Sequence, residues 1–205
     1  MMSEELQVLQ TVRLKGRPTT DQIAAACGLD SEAVDRVLRV QAEAGRCTRT
    51  HGRHALAPAG RDRLRQLLAA ERAGLDQSAL ARAYEDFVAY NTALKSLVTD
   101  WQLVDGTTVN DHSDAAYDAG IVERLTQLHT AFREPLAHLA GLAPRLGRYP
   151  RRLSDALAKV RAGDHGWLAR PLIDSYHTVW FELHEELLGL TGRERVHEAA
   201  AGRAG

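Results

Sequence analysis

The sequence predicts a two-domain, mainly helical protein with one β-hairpin in its N-terminal third. Apolar residues recur at helical spacing from the start of the chain, a short segment near residue 50 reads as two strands around a turn, and the chain beyond Ala70 keeps a helical period without β alternation. The 205 residues suffice for two small domains with their own cores. We expect a first domain over residues 1–72 and an all-helical second domain over residues 73–205.

Three helices are predicted before the hairpin. Each has an apolar face at helical spacing and ends at a glycine or proline, and the second and third begin at side chains suited to N-capping. The markers are Leu6, Leu9 and Val12 before the stop at Gly16 and Pro18; Thr19 or Thr20 as cap before the turn at Gly28; and Asp30 or Ser31 as cap before the closing Gly45.

The hairpin is predicted within the stretch GRCTRTHGRHALAPAGRDRL, which runs from Gly45 to Leu64 and is rich in arginine. Cys47 to Thr50 forms one strand, His51-Gly52-Arg53 a tight turn in which glycine allows positive φ, and His54 to Ala57 the returning strand. Proline at position 58 ends that strand, and the next helix begins near Gly60.

Three helices followed by a hairpin with a basic tip resemble the winged-helix domain of MarR-like and related bacterial transcription regulators, over about residues 4–68. The run ALAPAGRDRL is similar to that family's LT-x-x-G-R-x-x-L, with Ala57 in place of the usual threonine. The resemblance implies a cytoplasmic regulator that binds double-stranded DNA, with the third helix in the major groove and the wing on phosphates or the minor groove. The implied contacts are Ser31, Glu32, Arg36 and Arg39 on the helix and Arg49, His51, Arg53 and His54 on the wing.

Charge agrees with this assignment only in part. Residues 1–75 carry 12 Lys+Arg against 9 Asp+Glu, whereas residues 76–205 carry 14 against 18, so the first part is the one suited to an anionic partner. The third helix, however, carries Asp30, Glu32, Asp35 and Glu43 against two arginines. The alternative is therefore a winged-helix adaptor that docks onto proteins and does not bind DNA.

The second domain is predicted to hold four or five helices. The segments are Leu75 to Leu103 as one bent helix or two, Ile121 to Leu142, Leu153 to Arg161, and a last helix from an Asp164 cap to about Leu190 that passes Pro171 near its first turn. Long apolar stripes in these segments predict a homodimer, since regulators of this size commonly meet DNA as two-fold dimers.

The segment SYHTVWFELHEELL concentrates aromatic residues and histidines in the last helix. One interpretation is an effector pocket, with His177 as polar contact and aromatic walls. The alternative is a core helix whose polar atoms are bonded to neighbouring helices. The candidate ligand-binding residues are Trp101, Trp167, His177, Trp180 and Phe181.

The loop sequence NDHSD is the one place that suggests a metal ion, through Asp111, His112 and Asp114 with Asp118 close by. The alternative is an ordinary turn that caps the helix near Ala115. An enzyme would need these groups and His177 to converge in one cleft, and we expect no catalytic residue, metal or cofactor.

The location of the protein is predicted from two absences. Two distant cysteines, Cys27 and Cys47, do not make a disulfide framework and favour a reducing compartment. No stretch of about 18 apolar residues occurs, so no membrane contact is expected.

Overall fold

Helices make up most of the chain in the computed structural model, which describes residues 4–193. The chain divides into two units, Met1–Leu75 and Asp76–Gly205, so the division falls three residues after the expected boundary. In chain order the elements are α1 Glu4–Lys15, α2 Thr20–Cys27, α3 Ser31–Glu43, β1 Cys47–Thr50, β2 Arg53–Leu56, α4 Pro58–Ala73, α5 Gln77–Gln102, β3 Leu103–Val104, β4 Thr108–Val109, α6 Ala115–Leu142, a short 3-10 helix Pro144–Arg148, α7 Tyr149–Arg161, α8 Gly166–Ala169 and α9 Tyr176–Thr191.

The three predicted helices of the first unit are present, and the second and third begin at expected caps. Thr19 and Gln22 form a capping box at α2, and the Asp30 carboxylate accepts from the Ala33 backbone N–H at 2.6 Å at α3. Gly28 ends α2 in the left-handed conformation. The helices, β1 and α4 enclose one apolar core, whose fully buried members include Val8, Leu9, Val12, Ile23, Val34 and Leu64.

The hairpin is shorter at its turn than the sequence suggests. β1 and β2 pair antiparallel from Cys47 opposite Leu56 to Thr50 opposite Arg53, so only His51 and Gly52 form the turn. Both turn residues have positive φ, 50° and 75°, the geometry that matches the twist of paired strands in a two-residue turn. The predicted three-residue turn and the strand start at His54 are wrong by one residue.

Gly60 fixes how α4 meets the hairpin. A Cβ at this position would collide with the carbonyl oxygen of Arg46 and would lie 2.9 Å from its carbonyl carbon. The same oxygen accepts the Ala57 backbone N–H at 2.9 Å. Since both obstacles are backbone atoms, no side-chain movement relieves the collision, and glycine is sterically required here.

The second unit is built from α5 to α9, with α6 packed against α5 and α7, and α9 against α5, α7 and α8. Leu75 to Leu103 contains the single helix α5, and Pro135 lies inside α6. The predicted continuous helix from Asp164 to Leu190 is wrong. Pro171 follows the end of the short α8, and a new helix, α9, starts at the cap Ser175.

A second small hairpin interrupts the otherwise helical second unit, which the sequence did not lead us to expect. β3 and β4 are two residues each and pair antiparallel, with Asp105 and Gly106 at positive φ in the turn between them. Asp-Gly is a strong hairpin signal, but strands this short leave no visible alternation. Among the described residues, no helix is both long and apolar enough to cross a membrane.

Candidate functional site

The exposed face of α3 presents the four helix positions expected to contact DNA. Ser31, Glu32, Arg36 and Arg39 are all exposed. The opposite face packs into the core because its apolar residues recur at helical spacing. Its buried members are Ala33, Val34, Leu38 and Gln41.

Two of the acidic side chains on this helix are engaged in local hydrogen bonds. Asp30 caps α3, as described above. Asp35 accepts a hydrogen bond from the Thr20 hydroxyl at 3.0 Å. The Ser31 hydroxyl donates in turn to Asp21 at 3.1 Å. The hydrogen bonds of Asp35 with Thr20 and of Ser31 with Asp21 thus hold α3 beside α2.

On the hairpin, Arg49, His51 and Arg53 are exposed, whereas His54 is not. Arg53 donates to the backbone carbonyl of Arg17 at 2.9 Å and pairs with Thr19 in an isolated bridge, which ties β2 to the segment before α2. Three of the four wing residues that were expected to contact DNA are therefore exposed.

The burial of His54 argues against its assignment to a nucleic-acid contact. Its side chain is enclosed between the hairpin and α2, with 5% of the residue exposed and Nε2 3.2 Å from the Thr20 hydroxyl oxygen. Burial lowers the pKa of His54, the positive charge of Arg49 lowers it further, and Asp35 opposes both. His54 is thus a neutral packing residue that connects β2 to α2.

Arg39 of α3 and Arg49 of β1 border the same groove. This groove has a volume of about 290 Å³ and is walled by helix residues on one side and hairpin residues on the other. Its remaining lining residues are Asp35, Leu38, Ala42, Cys47, Thr48 and His54. A ligand that enters it meets guanidinium groups from two separate elements.

Both cysteines are buried, and neither forms a disulfide. Cys27 lies 3.2 Å from the Thr11 hydroxyl oxygen. Burial raises the pKa of Cys47 to about 11. Because the thiolate is the reactive form, Cys47 is a packing residue and not a nucleophile at neutral pH.

We expect His54 to make the stability of the first unit depend on pH. Its pKa is lowered in the folded state, so below about pH 6.5 the unfolded chain binds a proton that the folded unit does not. The contribution of His54 to the free energy of unfolding is therefore fully present above that pH. It is lost as the pH falls from there toward the pKa that His54 has in the folded state. Urea unfolding of the full chain at a series of pH values measures this loss.

His54→Gln is the test variant and His51→Gln its control, because His51 is exposed on the same hairpin. The first substitution should flatten the pH dependence of the first unit's unfolding free energy, and the second should leave it unchanged. An equal pH dependence in both variants would contradict the role given to His54.

The five aromatic and histidine residues proposed as an effector pocket do not line one cavity among the described residues. Trp180 is 2% exposed, donates from Nε1 to Asn91 Oδ1 at 3.0 Å, and stacks on Phe87 with ring centroids 5.3 Å apart. Its neighbour Phe181 is 37% exposed. Successive helical residues point about 100° apart, so Trp180 faces the core while Phe181 faces outward.

The other three members of that set lie in separate surroundings. Trp101 packs beside His112, and Trp167 lies under the ammonium group of Lys159, which is 3.3 Å from its ring centroid. Burial lowers the pKa of His177, which is half-buried in the first turn of α9. Trp180 is therefore enclosed in the core of the second unit, which favours the core interpretation of this helix, and the five residues lie in separate surroundings.

The second unit contains a buried cluster of charges that the sequence did not lead us to expect. Glu186 of α9 bonds the guanidinium groups of Arg145 and Arg148, and Glu182 lies 2.8 Å from Arg152. Arg145 and Glu186 are fully enclosed, with 1% and 0% of the residue exposed. The sequence carries part of the signal, since Glu182 and Glu186 are four residues apart and share a face of α9.

The NDHSD loop does not gather metal ligands. Asp111 accepts from the Ser113 backbone N–H, and Asp114 accepts from the first backbone N–H groups of α6, so both perform the turn and cap roles. In residues 4–193 no group of three or more His, Cys, Asp or Glu side chains is arranged to hold a metal ion. His112 instead pairs with Asp118, Nδ1 to Oδ2 at 3.0 Å.

The chain matches no protein-family model, and comparisons with curated proteins and with solved structures likewise give no match.

Proposed function

We propose that the first unit is a winged-helix domain that binds double-stranded DNA, with α3 in the major groove and the β1–β2 hairpin as the wing. The order of elements supports this, since three helices, a hairpin and a fourth helix follow one another in the first unit. The bridge between Thr19 and Arg53 supports it further, because it joins the hairpin to the segment between α1 and α2.

The observation that carries the proposal is the shared groove of Arg39 and Arg49. A winged helix that reads DNA needs cations on both the helix and the hairpin, aimed at one surface. Arg39 and Arg49 meet this requirement, as they border one groove from α3 and β1. Exposed Arg36 on α3 and exposed Arg53 on β2 add positive charge to the helix and to the hairpin.

The helix also offers an apolar contact that the sequence analysis did not identify. Val40 of α3 is 57% exposed, next to Arg39. A methyl-bearing side chain in the major groove is suited to the thymine C5-methyl group. Val40 and Arg39 therefore provide an apolar contact and a hydrogen-bond donor for neighbouring base pairs.

The wing and helix arginines are expected to differ in what they recognise. Changing Arg49 and Arg53 together to Ala should weaken binding to all DNA sequences and flatten its salt dependence by about one unit of slope per lost phosphate contact. Arg36→Ala and Arg39→Ala should change which sequence is preferred, because those positions face bases. Arg65→Ala is the matched control, since this exposed arginine on α4 pairs only locally with Asp62.

The measurement is selection of genomic DNA fragments by the purified full chain at two salt concentrations, followed by titration of the selected and of random fragments. Unchanged affinity and slope in the Arg49/Arg53 variant would reject the wing assignment. Equal losses on selected and random DNA for the helix variants would place Arg36 and Arg39 on phosphates.

The second candidate function is a protein-docking adaptor. The exposed carboxylates Glu32 and Glu43 on α3 favour it, because they repel phosphates and suit a basic protein partner. This function predicts no salt-dependent DNA binding in the selection experiment, so the same measurement separates the two.

A two-fold DNA site requires a homodimer, which we propose forms through the second unit. Four large hydrophobic side chains are exposed among the described residues, and each lies on a different segment. One of them, Val40, belongs to the first unit. An interface in the second unit must therefore bury mostly polar surface around Val109, Leu172 or Phe181.

Sedimentation of the full chain should show a dimer, whereas residues 1–75 should sediment as a monomer. Raising the salt concentration should weaken the dimer, because a polar interface depends on charge pairs. A monomeric full chain at micromolar concentration would contradict the two-fold arrangement.

A further inference from the structure

A cleft in the second unit brings together two histidines from separate elements. His112 follows β4, and His165 directly precedes α8. Both residues border two cavities, of about 400 Å³ and about 560 Å³. Volumes of this size are typical of sites that bind small molecules.

The imidazole of His112 is held in a fixed orientation. Its Nδ1 lies 3.0 Å from the Asp118 carboxylate, whose side chain is 5% exposed. Asn110 donates from Nδ2 to the same carboxylate at 3.0 Å, and the ring packs against Trp101 with centroids 4.3 Å apart. Since Nδ1 donates to that carboxylate, Nε2 is the ring nitrogen left for a ligand, and the His112 side chain is 42% exposed. Nε2 carries an N–H that can donate to an anion when the ring is protonated on both nitrogens.

The backbone of His112 is also unusual. Its φ is +60°, in the left-handed region that non-glycine residues seldom adopt, and its backbone N–H donates to Asn110 Oδ1 at 3.0 Å. Strained backbone of this kind concentrates where a side chain must be aimed at a ligand. The Asn110 side chain thus fixes both the backbone of His112 and the carboxylate that orients its ring.

The charged groups around the cleft favour an anionic ligand. Arg161 at the end of α7 borders the first cavity, and Arg170 after α8 borders the second. The acidic lining residues are Glu123 and Asp118, and Asp118 is already paired with His112. The first cavity thus has one arginine and two histidines against Glu123, whose carboxylate accepts a hydrogen bond from Gln127 at 3.0 Å. The second has one arginine, the same two histidines and no acidic lining residue.

The remaining wall of the first cavity is small and aliphatic. It is formed by side chains of α6 and by one residue of α7, namely Ala115, Ala119, Val122, Thr126 and Val160. Thr126 is the one polar member, and its hydroxyl donates to the Val122 backbone carbonyl at 2.9 Å. Such a wall suits a short hydrocarbon body attached to the anionic group.

We propose that this cleft binds a small aliphatic oxyanion, either a carboxylate or a phosphate ester. His112 Nε2 and His165 contact the oxyanion, and the alanine and valine wall packs against the hydrocarbon body. The site lies wholly within the second unit and does not depend on whether the first unit binds DNA.

Binding is tested on the full chain by calorimetry and by the ring ¹⁵N signals of the histidines. The probes are butyrate, butyl phosphate, inorganic phosphate and the neutral butyramide. Butyrate or butyl phosphate should bind and shift the His112 ring signals, and butyramide should not. The preferred anion identifies the headgroup, and weaker binding of inorganic phosphate measures the contribution of the hydrocarbon wall.

The variants are His112→Asn, since asparagine tolerates the left-handed backbone, and His165→Gln. Each should weaken binding about tenfold or more, the loss expected for one hydrogen bond to a charged group. His138→Gln is the control, because His138 is an exposed histidine of α6 that does not border either cavity. Equal binding of butyramide and butyrate, wild-type affinity in both cleft variants, or no binding of either organic anion at millimolar concentration would each overturn the proposal.

Discussion

Replacing Glu186 with Gln is expected to lower the free energy of unfolding of the second unit by about 3–5 kcal/mol, because it breaks a buried ion pair. The Glu186 carboxylate bonds Arg145, whose side chain is fully enclosed, and Arg148, whose side chain is 9% exposed. Gln keeps nearly the same volume but removes the negative charge that both guanidinium groups bind. Denaturant unfolding of the full chain, followed through the transition of the second unit, measures the loss.

Asp155→Asn is the matched control for Glu186→Gln. Asp155 faces Arg151 on the surface of α7 at 3.9 Å, with both side chains more than half exposed. Exposed pairs of this kind contribute about 0–1 kcal/mol, so the control should be nearly neutral. Equal losses in the two variants would show that burial does not determine the strength of the Glu186 contacts.

The double variant Arg145→Met with Glu186→Leu adds a second test. Replacing both members of a buried pair by apolar residues of similar size commonly restores stability, and here it removes the fully enclosed charge of Arg145 together with its partner. The double variant should therefore be more stable than Glu186→Gln alone. A double variant that is no more stable would show that the lost contact between Arg148 and Glu186 determines the effect.

Truncating Trp180 to Ala is expected to lower the free energy of unfolding of the second unit by about 3–5 kcal/mol, because burial is lost and a cavity is left behind. The indole is 2% exposed and packs against Phe87 and Phe132, with centroids 5.3 and 4.6 Å away. It also loses the hydrogen bond donated to Asn91. The melting temperature of the second unit, measured on the full chain, should fall accordingly.

Two further variants separate the parts of this effect. Trp180→Phe retains most of the buried ring but removes the Nε1–H donor. It should therefore lower the free energy of unfolding by about 1–3 kcal/mol. Phe181→Ala is the neighbouring control and should cost less than the truncation of Trp180, because Phe181 is 37% exposed. A small loss in Trp180→Ala would mean that the indole faces open space, as the effector-pocket interpretation requires.

Much of the first unit could be predicted because its signals are local. A cap such as Thr19 or Asp30, a stop such as Gly28 and a three-residue apolar spacing act within one helical turn. The hairpin was found for the same reason, although its turn was placed one residue too long. The exposure of Arg36 and Arg39 followed directly from the buried positions on the same helix.

The charge pairs and the cleft could not be predicted, because they join residues that are distant in the chain. Glu186 and Arg145 are 41 residues apart in the chain. His165 lies in the surroundings of His112 although more than fifty residues separate the two. Helical spacing shows that Glu182 and Glu186 share a face, but whether that face meets solvent or arginines depends on how α9 packs against α7. The sequence therefore offered the correct alternatives for Trp180 without deciding between them.

By itself the sequence determined the helical class, the stop of α1, the caps and stops of α2 and α3 and the position of the first hairpin, since backbone geometry and apolar spacing act over a few residues. Tertiary structure alone decided that His54 and Trp180 are enclosed, that Gly60 lies against the Arg46 carbonyl, and that Arg39 and Arg49 border one groove. The physical reason is that burial and charge pairing depend on which side chains surround a residue, and packing brings those side chains from elements far apart in the chain.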